Sequence, residues 1–172
     1  MEEKDSKKET LKILYENAVA ASASQDKRKE NIDQKVSYLL TVAIALLAII
    51  VEFFDITKIF NQTNINIIII CSAIFILYIA NLIINLIVII NYIFIMYGKD
   101  YRIISPKMFI SDKIRNEKYE IVIQELTEEY EKNADYNSIT NTKQLKKFNI
   151  NNFLLFINII ISTILYIALK VL

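Results

Sequence analysis

The chain has no histidine, no tryptophan, one cysteine, one glycine and one proline in 172 residues. Each scarcity removes a class of chemistry. Without histidine there is no Ser–His or Cys–His catalysis and no histidine-ligated zinc. A single cysteine forms no internal disulfide and no multi-cysteine metal cluster. A single glycine excludes both the P-loop and the GxGxxG fingerprint, which need several glycines where backbone meets phosphate. A net charge of +1 gives no strong nucleic-acid signature. No cofactor is expected, and no acid–base pair can be assembled for an enzyme.

What remains is oily and charged in separate blocks. The apolar fraction is 54% and the mean hydropathy +0.34, beside 23% charged residues. Residues 1–35 carry 8 basic and 8 acidic side chains. Val36–Val51 and the 40 residues Ile59–Gly98 carry none. Residues 99–147 carry 10 basic and 9 acidic, and Phe148–Leu169 is again uncharged. A bilayer core about 30 Å thick needs roughly 20 apolar helical residues. The chain is therefore expected to be an all-α membrane protein with three transmembrane helices. Its expected parts are a cytoplasmic amphipathic helix (1–35), a membrane hairpin (36–97), a helical cytoplasmic insert (98–147) and a third transmembrane helix (148–172). Within the hairpin the spans are expected at Val36–Phe54 and Ile65–Tyr97. The second would extend about 50 Å as a straight helix.

Lys and Arg in flanking loops set orientation. The two charged blocks hold 18, against Lys58 in the first loop and Lys170 at the far end. The expected topology is multi-pass in a bacterial inner membrane, with the N-terminus cytoplasmic and a short outer turn at Asp55–Asn64. The first apolar run starts too late for a signal peptide, and no small-residue cleavage site follows it.

Local signals place further elements. Leu11, Leu14, Tyr15, Ala18 and Ala21 recur at helical spacing, with Thr10 as the expected N-cap. Ser105-Pro106 reads as a helix start, and an amphipathic helix is expected over 112–132. The turn formers of residues 133–141 are expected to break it. Lys143, Lys146 and Lys147 mark the cytoplasmic boundary of the third span. They set topology or meet anionic headgroups.

Polar residues inside the spans are the candidate site. Thr41, Ala45, Ala48 and Glu52 share one face of the first span, either a packing seam or a pore stripe ending in a carboxylate ring. Tyr78, Asn81 and Asn85 share a face of the second, to which Tyr92 returns, whereas Asn91 is expected to point elsewhere. Asn151, Asn158 and Ser162 share a face of the third. Amides in hydrocarbon need partners. They find them either within one chain or around a shared axis in a homo-oligomer. Cys71 reads as a small packing residue.

The stretch Asn31–Thr41 enters the first span as D-x-K-x-S-x-L-L-T, from Asp33 and Lys35 through Ser37 to Thr41. Before the last apolar helix come spaced Tyr130, Ala134, Asn137, Asn141 and Lys143. In this motif, and in element order over most of the chain, the protein resembles the small bacterial membrane effectors of the Pycsar and SLATT group. The resemblance implies a cell-suicide effector of antiphage defence. Such an effector oligomerises and impairs the inner membrane when a nucleotide signal or a cytoplasmic sensor protein activates it. Some members carry a separate ligand-binding domain; here the trigger is expected to act through the N-terminal helix, the insert or another protein. The alternative is a non-conducting membrane anchor, immunity or scaffold subunit.

Overall fold

A computed structural model describes residues 2–53, 64–98, 101–104 and 118–171. Three helices make up nearly all of it: α1 (Glu2–Phe53), α2 (Ile65–Met96) and α3 (Tyr119–Val171). No strand occurs among the described residues. Each helix contains a window long and apolar enough to cross a membrane. The protein is an all-α, multi-pass membrane protein.

The isoleucine-rich α2 is helical against its intrinsic preference. Branching at Cβ favours strands in water. In hydrocarbon an open strand would leave its backbone unpartnered, whereas a helix satisfies it within the segment. Asn64 caps α2, its Oδ1 accepting from the Asn66 N–H at 3.0 Å. At the other end the Tyr97 N–H donates to the Ile93 carbonyl.

Two expected boundaries are absent. Thr10 is not an N-cap: α1 already runs from Glu2, and the Thr10 hydroxyl donates back to the Ser6 carbonyl. Residues 133–141 do not break a helix: α3 continues through them from Tyr119 to Val171, joining the expected insert helix to the third span. The physical reason lies in the asparagines. Asn133, Asn137 and Asn141 direct their amides to other segments rather than to their own backbone, so they do not compete with helical hydrogen bonds. The expected Ser105-Pro106 start, residues 112–117 and most of the outer turn lie outside the described residues.

The chain divides into two compact units, residues 1–32 with 98–145 and residues 33–97 with 146–172. In the first, α1 and α3 run parallel. Tyr15 meets Tyr130 edge-on at 5.7 Å, and Ser22 bonds to Asn133. In the second, α2 runs antiparallel to α3, since contacts on α3 descend as those on α2 ascend.

Both units bury side chains at alternating steps of four and three. On α1 the first unit uses Tyr15, Ala18, Ser22, Gln25, Lys29 and Ile32, and the second uses Val36, Ala43, Leu46 and Ile50. On α2 the series is Cys71, Ile74, Tyr78, Asn81, Asn85, Val88, Tyr92 and Ile95. On α3 the second unit's series runs Phe148, Asn151, Leu155, Asn158, Ser162, Leu165 and Leu169. A mean period of 3.5 residues is that of left-handed knobs-into-holes packing. Ile50, Cys71, Tyr78, Leu165 and Leu169 form the apolar cluster of the second unit.

Ala43 is fully buried on this seam, whereas Ala45 lies outward. Ala43→Phe is expected to cost about 1–3 kcal/mol by overpacking, and Ala45→Phe less than about 0.5 kcal/mol. Thermal unfolding in detergent, followed by circular dichroism, distinguishes them; equal melting temperatures would contradict the 3.5-residue seam.

Candidate functional site

The seam between α2 and α3 carries amides where a spanning helix pair normally carries aliphatic side chains. Asn81, Asn85 and Asn158 are 0% exposed. Asn158 Nδ2 donates to both the backbone carbonyl and the Oδ1 of Asn81, each at 2.9 Å. Asn158 Oδ1 accepts from Asn85 Nδ2 at 3.0 Å. Asn81 Nδ2 donates to Ser162 Oγ at 2.9 Å, and that hydroxyl donates to the Asn158 carbonyl at 2.7 Å. Asn81, Ser162 and Asn158 thus close one circuit, which Asn85 joins through Asn158.

The ladder continues along the seam. Asn151 Nδ2 donates to the Val88 carbonyl at 2.9 Å, and Asn151 Oδ1 accepts from Asn91 Nδ2 at 3.2 Å. The Tyr92 hydroxyl donates to Asn152 Oδ1, while its ring lies against Phe148. Asn91 therefore does not point away: it is half-buried and joins the ladder. One acceptor, Asn85 Oδ1, is buried without a hydrogen-bond partner among the described residues.

The stripe on the first span behaves differently. Thr41, Ala45, Ala48 and Glu52 are exposed and join no polar contact with α2 or α3 among the described residues. The Thr41 hydroxyl is satisfied by the Ser37 carbonyl one turn back, at 3.1 Å. Ser72 and Thr163 resolve their hydroxyls in the same way. Short hydroxyl side chains can do this on a lipid-facing surface; amides cannot do so as readily.

A second set of amides serves the other unit. Asn137 is fully buried and grips the backbone of Arg102 at both groups: its Oδ1 accepts from the Arg102 N–H at 3.0 Å, and its Nδ2 donates to the Arg102 carbonyl at 2.9 Å. Residues 101–104, a short strap without helix or strand, are thereby held at Arg102. The Tyr101 hydroxyl donates to Asp26 at 2.7 Å, and the Arg102 guanidinium lies 4.4 Å from the Tyr136 ring centre. Asn141 Nδ2 donates to the carbonyl and Oε1 of Gln25. Asn141 Oδ1 and Gln144 Oε1 are buried acceptors without a partner among the described residues. Burial, and secondarily the Tyr15 phenol, hold the Tyr130 hydroxyl above the usual tyrosine pKa.

Of the remaining motif residues, Asp33 is half-buried, and Lys35 and Lys143 are exposed. Among the described residues no group of three or more histidine, cysteine or acidic side chains is placed to hold a metal. The residues that sequence reasoning did not single out are Ser22, Gln25, Asn133 and Asn152. Ser22 and Gln25 sit on the alternating four–three register of α1, the available signal; Asn133 precedes the buried Ala134, and Asn152 follows the seam residue Asn151. Compared with family models, with curated proteins and with solved structures, the chain matches none.

The arrangement binds, clasps and packs. Asn137→Ala leaves both the Arg102 N–H and carbonyl without their partner, at about 0.5–1.5 kcal/mol for each of the two lost hydrogen bonds. Amide hydrogen exchange at Arg102 is therefore expected to quicken about tenfold, with exchange in α2 unchanged. Unaltered Arg102 exchange would show that the strap is not held by Asn137.

Proposed function

We propose that the protein is an oligomeric effector of a bacterial inner membrane, with its N-terminus cytoplasmic. On a signal received by its charged helical segments it permeabilises that membrane in antiphage defence. The observation that carries this reading is helix continuity. α1 and α3 each pass without interruption from a charged segment into an apolar one. An unbroken helix, rather than a loop, therefore leads from the charged part to the spanning part. The 18-to-2 partition of basic residues supports the orientation, and the resemblance around Asp33–Thr41 supports the biological role.

The amide ladder defines the resting state. With Asn81, Asn85, Asn151 and Asn158 paired between α2 and α3 of one chain, these amides are occupied by each other rather than turned to an ion path. Conduction then requires either separation of α2 from α3 or a path built between chains. The same pairing favours a second reading, a non-conducting anchor or scaffold subunit that recruits a cytoplasmic protein or nucleotide sensor.

The two readings part in cells. Inducible expression followed by phage challenge is expected to collapse the inner-membrane potential and admit dye. Lys146→Pro breaks α3 at the junction of its charged and apolar parts, and is expected to abolish depolarisation while the protein still fractionates with the membrane. An unchanged potential with the native chain in the membrane would overturn the effector reading in favour of the anchor.

A further inference from the structure

The second unit has a groove that its own chain leaves open. A largely apolar cavity of about 300 Å³ is walled by Leu46, Ile49 and Ile50 of α1 and by Thr163, Tyr166 and Leu169 of α3, with Asn81 and Ser162 of the amide ladder also in its lining. One residue beyond this wall stands Lys170, exposed, with its ammonium 5.0 Å from the centre of the Tyr166 ring. The groove is thus apolar with a cation at its rim.

A matching surface lies elsewhere on the same unit. Helical geometry puts Thr41, Ala45, Ala48 and Glu52 on the side of α1 opposite Ala43 and Ile50, and all four are exposed. Two alanines and a threonine whose hydroxyl is already bonded give a smooth, narrow ridge that another backbone can approach closely. The ridge ends in a carboxylate. Glu52 makes no ion pair among the described residues.

We propose that the groove receives this α1 ridge from a second copy of the chain, with Glu52 of the second copy meeting Lys170 at the rim. The levels agree. Ile50, Leu165 and Leu169 share one cluster, so Glu52 and Lys170, which follow them in sequence, lie at the same end of the spans. Copies inserted with the same topology present the two charges at equal depth. There the opposite charges attract, and a charge reversal on one copy makes them repel. Groove and ridge are different surfaces, so the contact is head-to-tail: each copy has two neighbours, and the assembly closes as a ring or extends. The amide ladder stays paired inside every copy. The inference rests on the self-assembly in the function proposed above and supplies its surfaces.

The test uses the full chain in native membranes with Cys71→Ser as background. Ala48→Cys and Thr163→Cys are placed together, one on the ridge and one in the groove lining. Oxidation is expected to give a ladder of covalent dimers, trimers and higher species. Glu52→Lys or Lys170→Glu alone, both at exposed positions, is expected to reduce the cross-linked fraction about tenfold, and combining them to restore it. Dimers without higher species would overturn the head-to-tail contact. Cross-linking indifferent to the charge changes would overturn the Glu52–Lys170 pairing. Absence of cross-links, with phospholipid retained on the purified protein, would assign the groove to a lipid chain and overturn the proposal. Membrane potential is read in the same cells: depolarisation without the ladder retains the effector and removes this interface, and the ladder without depolarisation does the reverse.

Discussion

Inside a bilayer a polar group finds a partner in the protein or finds none, and the rest of this structure follows from that constraint. It makes an isoleucine-rich segment helical, since only a helix satisfies its own backbone there. It folds threonine and serine hydroxyls back onto carbonyls four residues earlier. It draws Asn81, Asn85, Asn91, Asn151 and Asn158 into contacts between α2 and α3, because a carboxamide has two N–H donors and an acceptor, more than one carbonyl a turn back can satisfy. Hydrophobic contact between helices adds little in lipid, so such pairs and close packing decide which helix lies against which.

The same residue type does different work outside the apolar segments. Asn137 and Asn141 bond to backbone groups of neighbouring segments, Arg102 and Gln25. There the amide acts as a clasp on a strap and on a helix. In the spanning unit it acts as a rung between two helices. Both uses depend on the 3.5-residue register, which brings Asn81 and Asn85, Asn151 and Asn158, and Asn137 and Asn141 to the inner face without disturbing the helices that carry them. Continuity of α1 and α3 through that register is what gives the proposed effector a route from signal to membrane.

Much of this was legible in the sequence. Charge-free runs located the three spans, because hydrocarbon excludes charge over a length that composition reveals directly. Asn81, Asn85, Asn158 and Ser162 were legible as faces, since helical spacing alone aligns them. What failed was local reading. The turn-forming composition of residues 133–141 predicts a break, but turn propensity describes side chains that bond their own backbone, and Asn133, Asn137 and Asn141 bond elsewhere. The Thr41–Glu52 stripe was legible as a face but not as an outward one. Ala43 and Ile50 on the other side are equally apolar, and only packing distinguishes the two. The strap at 101–104 carries no periodic signal at all, and its position depends on Asn137, which lies 35 residues away.

The amide ladder is the centre of this account, and a double-mutant cycle at Asn81 and Asn158 measures it most directly. Unfolding free energies in bicelles for Asn81→Leu, Asn158→Leu and the pair together isolate their coupling. Hydrogen bonds between membrane helices couple by about 0.6 kcal/mol on average and up to about 1.7. Asn158 Nδ2 bonds both the backbone carbonyl and the Oδ1 of Asn81; only the second bond leaves with the Asn81 side chain, so the account predicts a coupling of about 0.6–1.7 kcal/mol. Additive effects of the two substitutions would contradict it.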